Sequence, residues 1–242
     1  VTGSKNMWRQ VMPLLAPRFE VFAPTALGHH GGTRRSITPT VFEHVVDDAE
    51  RSLDEMGLEK PHLAGNSMGG WVALELARRG RAGTVCAVSP AGFWDVDWTD
   101  KHRVLRTLHS AVRDTRRAHR LLPYLGRSRL FRRWAMRNVA AHGRAVSLPE
   151  FLDAADAQIA CEVTDDMLET VDQMAPLDPV PCPITMAWGQ FDRIFPPGLY
   201  GNRAQELIPA ARSIVVDGVG HVPMFDDPAL VARTIEDSIA RR

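Results

Sequence analysis

Pro61-His62-Leu63-Ala64-Gly65-Asn66-Ser67-Met68-Gly69-Gly70-Trp71-Val72-Ala73-Leu74-Glu75-Leu76-Ala77 is the stretch that decides the fold. A short apolar run, 61–65, enters a glycine-rich turn and leaves it as an apolar helix from Trp71. The turn holds G-x-S-x-G in the context that gives this pattern meaning. A strand that bends sharply into a helix strains the backbone of Ser67 and lifts its hydroxyl clear of the sheet. Small residues are then needed at Gly65 and Gly69, where a side chain is expected to collide with the turn. The Met68 N–H, at the positive end of the helix dipole, is free to donate to an oxyanion. Without the flanking strand and helix, the same glycines would equally describe a turn that binds a phosphate or nothing.

Outward from this turn, strand-like runs at 19–24, 84–89, 183–188 and 213–216 alternate with helical stretches. One helix is expected with Thr38 as N-cap and Pro39 at its first position. Phe42, Val45, Val46, Ala49, Leu53 and Met56 follow at helical spacing, and Gly57 ends it. Strand and helix in alternation imply right-handed crossovers and a mostly parallel sheet flanked by helices, which is the α/β class. Between residues 94 and 176 no strand is expected. That segment reads as helices broken at Pro123, Gly126, Gly143 and Pro149. The expected organisation is a core of residues 1–93 and 177–242 with 94–176 as an inserted helical segment.

Composition agrees with one large domain carrying an insertion. The 242 residues are 45% hydrophobic and 24% charged, which excludes disordered, collagen-like and disulfide-scaffold classes. A formal net charge of +0 argues against a surface built to hold nucleic acid. The charge is nonetheless segregated: residues 101–144 hold thirteen Lys or Arg and one acid, Asp114, leaving sixteen basic and twenty-eight acidic residues elsewhere. Cys86, Cys161 and Cys182 are odd in number and far apart, so neither a disulfide framework nor a metal site is expected, and a reducing, cytoplasmic setting fits. No apolar run reaches the roughly 18 residues of a membrane span, and no cofactor is expected.

A serine hydroxyl is a weak nucleophile and needs a base that is itself oriented by a third group. His221, in Val219-Gly220-His221-Val222-Pro223, follows the run at 213–216 and leaves the sheet at the strands' C-terminal edge, where Ser67 also lies. His29, His30, His44, His102, His109, His119 and His142 read as surface histidines of no consequence, and His62 opens a strand at the wrong edge. For the acid, Asp192 leaves the run at 183–188 at the same edge, with Asp95 and Asp97 as rivals. The bland reading of Asp192 is a cap for the following turn.

The order Ser67, Asp192, His221, the elbow G-N-S-M-G-G, the W-G-x-x-D-x-x-x-P loop and the G-H-x-P-x-x-D-x-P segment resemble the α/β-hydrolase superfamily over almost the whole chain. Ala26-Leu27-Gly28-His29-His30-Gly31-Gly32 resembles the family's loop after its fourth strand, with Thr25 where an Asp is common. The resemblance implies that residues 94–176 are a helical cap over the Ser67 edge. It also implies that the chain begins just past the third strand, with the first strands missing and Val1 supplying the second oxyanion N–H. Serine at the elbow argues against the family's dehalogenases and epoxide hydrolases, whose elbow residue is Asp.

The expected activity is hydrolysis of a small-molecule carboxylic ester. C–C hydrolysis of ring-fission products, lactonase or haloperoxidase-like chemistry and a non-catalytic binder of the same fold stay open. Arg113, Arg116, Arg117 and Arg120 form a cationic helix face opposite Val104, Leu105, Leu108 and Val112. A solvated outer face with the apolar stripe packed over the pocket takes precedence over docking on an anionic membrane. The sequence leaves the oligomeric state open.

Overall fold

The computed structural model describes residues 2–94, 99–170 and 172–240. Four parallel strands, β1 (His62–Asn66), β2 (Thr84–Val88), β3 (Ile184–Gly189) and β4 (Arg212–Val216), form one sheet in the order β1-β2-β3-β4. β2 and β3 are buried along their whole length, as strands covered on both faces must be. Their two-residue period divides the core. Val85, Ala87, Met186 and Trp188 join one apolar cluster with the helices Phe42–Glu55 and Met68–Arg78. Cys86, Val88 and Ala187 join a second with Val231 and Ile235 of the helix Pro228–Ala240.

Two expectations need correction. Residues 19–24 form no strand: the segment has no ladder, although Phe19 and Val21 pack on the second cluster. A strand is defined by its pairing, and β1 pairs with β2 alone among the described residues. A cavity opens along the other edge of β1, lined by His62, Leu63 and Ala64 on one side and Phe19, Val21 and Ala23 on the other. The second correction concerns the helix after Thr38. It begins at Phe42, not at Pro39, and Val41 is its N-cap. The Val41 N–H donates to His44 Nδ1 at 3.3 Å, while the Thr40 N–H donates across the chain to Asp166 at 2.9 Å. That remote acceptor holds residue 40 outside the helix. Gly57, at φ +68°, follows the helix end as expected.

Between β2 and β3 the described residues contain no strand. The helices Thr99–Ala118, Arg129–Ala135, Leu148–Ala160 and Thr164–Glu169 fill this stretch. The helices are interrupted at Pro149 as expected, and the proline lies in the first turn of the helix Leu148–Ala160. Ser147 caps it, its Oγ accepting from the Glu150 N–H while Glu150 accepts from the Ser147 N–H at 3.1 Å. Leu122, Met136, Val146 and Phe151 give the segment a small apolar core of its own. The apolar stripe of the long helix turns inward: Val104 and Val112 are buried, and Leu105 and Leu108 line the cavity.

Candidate functional site

β1 runs into the helix Met68–Arg78 through Ser67, whose φ of +54° and ψ of −118° show the strain expected of the turn. The Ser67 N–H donates to Val88 O at 2.9 Å, and Ser67 O accepts from Gly70, Trp71 and Ala91, so this backbone is held on both sides. A Cβ on Gly65 would lie 2.1 Å from Gly69 O, which accounts for that glycine. The expectation for Gly69 is wrong: a Cβ there meets nothing within 4 Å. Met68 is the first helical residue, and its N–H has no acceptor within the helix.

His221 follows β4 in a buried loop, and its Nδ1 lies 2.8 Å from Asp192 Oδ2. The other oxygen, Asp192 Oδ1, accepts the N–H groups of Ile194 and Phe195, each at 2.8 Å. The Asp192 side chain is 0% exposed, so these three partners replace its water. With a carboxyl oxygen as the partner of Nδ1, the tautomer that completes this hydrogen bond carries its proton on Nδ1 and leaves a lone pair on Nε2. Arg103 donates to the carbonyls of Arg193 and Ile194 at 3.1 Å each and ties the Asp192 loop to the long helix Thr99–Ala118.

Ser67 and His221 line the same cavity of about 950 Å³. No hydrogen bond between the Ser67 hydroxyl and His221 is formed in this arrangement; such contacts are often long before substrate binds. Trp94, Leu108, Phe131, Trp134 and Ile194 make much of the cavity wall apolar. Asp95, Asp97 and the N–H of Val1, named from sequence as rival acids and second oxyanion donor, lie outside the described residues.

Three side chains escaped the sequence reading. Asn66 Nδ2 donates to Val88 O at 3.1 Å and to His221 O at 2.8 Å, joining the elbow directly to the histidine loop. Asp226 accepts the N–H groups of Gly220, Ala141 and His142 at 2.8, 3.0 and 2.7 Å, fastening the histidine loop to the helical segment. Asp226 belongs to a quoted motif, so its position was visible but not its partners. His29 is buried rather than superficial, and its Nδ1 lies 2.9 Å from Leu27 O. Burial pushes the Cys161 thiol up, yet the hydrogen bond and charge of His29, with Thr164 and the Val163 backbone, carry it down to about 7.

The chain belongs to the alpha/beta hydrolase family, whose model matches residues 2–234. It is 34% identical over 200 residues to the epoxide hydrolase EphH of Mycobacterium tuberculosis, covering 81% of this chain and 93% of that protein. It is 42% identical over 79 residues to 2-hydroxymuconate semialdehyde hydrolase of Pseudomonas sp. CF600, covering 33% of this chain and 28% of that one. Among solved structures, a thermophilic esterase from Thermogutta terrifontis has the same fold. Its TM-score is 0.67 at 22% identity, over 98% of this chain and 86% of the esterase. Hydrolase chemistry on small molecules follows from the family. No helix among the described residues is long and apolar enough to cross a membrane.

Proposed function

We propose that the protein is a serine hydrolase that cleaves carboxylic esters with Ser67, His221 and Asp192, and that residues 94–176 form the cap over its pocket. The observation that carries this reading is the 2.8 Å contact of His221 Nδ1 with a buried, triply hydrogen-bonded Asp192, on the wall of the cavity that holds the strained Ser67. With Nδ1–H committed to Asp192, His221 Nε2 takes the Ser67 proton as the hydroxyl attacks the ester carbonyl. The Met68 N–H stabilises the resulting oxyanion, and resemblance alone gives the same role to the Val1 N–H. His221 then protonates the leaving alcohol, and water releases the acid from Ser67. The apolar wall favours apolar acyl or alcohol groups.

The epoxide hydrolase relative makes epoxide opening the second reading. Chemistry weighs against it: attack by a serine oxygen on an epoxide gives an ether, which water does not readily cleave, whereas attack on an ester gives an acyl-enzyme that it does. The semialdehyde hydrolase relative keeps ring-fission products in the test. Purified protein should be assayed on p-nitrophenyl esters of increasing chain length, on a styrene-type epoxide and on a ring-fission product. Ester turnover with a trapped acyl-serine supports the proposal; epoxide turnover without ester turnover would sink it.

A further inference from the structure

The helix Arg129–Ala135 presents an outer face that a solvated helix does not. Arg132 and Met136 point into the segment and are buried. The opposite face carries Arg129, Leu130, Arg133, Trp134 and Arg137, all exposed. Leu130 and Trp134 are one turn apart, beside Arg129 and Arg133 at the same spacing, so apolar and cationic rows run side by side. The short helix Leu122–Leu125 and the residue before it extend this pattern with Leu121 and Tyr124. Leu121, Tyr124, Leu130 and Trp134 are 56–74% exposed, the range of ordinary surface side chains rather than of core residues.

The arginines here are not neutralised within the protein. Arg116, Arg117, Arg120, Arg129 and Arg133 form no ion pair among the described residues. Arg137 and Arg127 instead sit over aromatic rings of this surface, 4.7 Å from the Trp134 centroid and 5.8 Å from the Tyr124 centroid. Not every basic residue belongs to it: Arg132 is buried and donates to the carbonyls of Val146 and Gly126. Trp134 and Leu125 also line the cavity that holds Ser67, so this surface is part of the cavity's rim.

We propose that this face of the cap docks on an anionic lipid surface, placing the rim of the Ser67 cavity against the bilayer. The occupant follows from charge and polarity together. Phosphate headgroups match the unpaired arginines, and the acyl boundary takes Leu121, Tyr124, Leu130 and Trp134 at the depth of an interfacial helix. Nucleic acid would use the arginines but leave the exposed leucines in water. The docking itself is independent of the ester reading; its consequence, entry of a lipophilic ester from the membrane, rests on that reading.

The test is co-sedimentation of the full chain with vesicles of phosphatidylcholine alone and of phosphatidylcholine with 30% phosphatidylglycerol. The Ser67→Ala variant is run in parallel, so that binding is read apart from turnover. Pelleting with the anionic vesicles only is expected, weakening as salt rises. Arg129→Gln with Arg133→Gln should lower the partition coefficient about twenty-fivefold, near fivefold for each charge removed. Leu130→Ser with Tyr124→Ser should lower it too while leaving turnover of a soluble short-chain ester within twofold, since neither residue lines the cavity. Equal binding to both vesicles, no binding, or binding indifferent to these substitutions would overturn the proposal. So would lipid-free self-association abolished by the same changes, which would make the acid-rich remainder of a second copy the partner.

Discussion

The C-terminal edge of the sheet and the outer face of the helical segment are built on opposite principles. At the sheet edge every polar group of the Asp192 carboxyl and of the Ser67 backbone has a fixed partner, and the chemistry depends on that rigidity. On the outer helical face, arginines without carboxylate partners stand among exposed apolar side chains. The first region is held by partners within the chain, whereas the second, on the docking proposal, is complementary to a lipid surface outside it. Substitutions at the sheet edge should therefore act on kcat or folding, and those on the outer face on binding alone.

The largest expected effect tests the first half of that contrast. Ser67→Ala should remove turnover, by about 10⁶-fold in kcat, while the melting curve stays unchanged, and His221→Ala should be comparable because such residues act as a unit. Asp192→Asn should cost about 10⁴-fold. A mild Asp192→Asn would move the acid to another residue, and active Ser67→Ala free of contaminating esterase would end the serine mechanism.

Next come the two elbow glycines, which sequence treats alike and the structure does not. Gly65→Ala forces a Cβ against Gly69 O at 2.1 Å and should cost about 3 kcal/mol or more, seen as a lost or strongly lowered thermal transition. Gly69→Ala enters open space and should change stability by less than about 1 kcal/mol. Equal melting temperatures for the pair would contradict the geometry of the turn.

Asn66→Ala should have a smaller effect, about tenfold on kcat with little change in KM, because it frees the His221 carbonyl without touching the reacting atoms. If KM rises while kcat holds, Asn66 acts on binding and not on the histidine.

The smallest signal is spectroscopic. Cys161 is carried down to about 7, whereas burial raises Cys86 to about 12 and raises Cys182. Thiolate absorbance should thus show one step near pH 7, and His29→Asn should shift it upward. A step unmoved by His29→Asn would leave the histidine without a role in that pair.

What was legible in the sequence is what is local. The elbow, the Asp192 loop and the His221 loop each declare themselves within a few residues, and β1 to β4 are short apolar runs bounded by turn residues. Residues 19–24 have the same local character yet form no strand, because a ladder needs a neighbour that residue type does not specify. Asn66 and His221 are 155 positions apart, and Asp226 reaches back 84 and 85 positions to His142 and Ala141, so neither role has a sequence signature.

The basic segment shows the same limit from the other side. Its charge was countable, but a count does not separate the buried Arg132 from the exposed arginines, and the apolar stripe was read on the long helix. The sequence by itself determined the fold class and the strained turn at Ser67, and it named His221 and Asp192, whose side chains meet in the structure, since strand-to-helix turns and loops at strand ends depend on short-range sterics. Only tertiary structure decided that residues 19–24 join no strand among the described residues, which polar groups clasp the histidine loop, and that Leu130 and Trp134 face outward while Arg132 faces in. Those outcomes depend on which distant surfaces meet, and an amphipathic pattern fixes that a helix has two faces without fixing which one the rest of the chain covers.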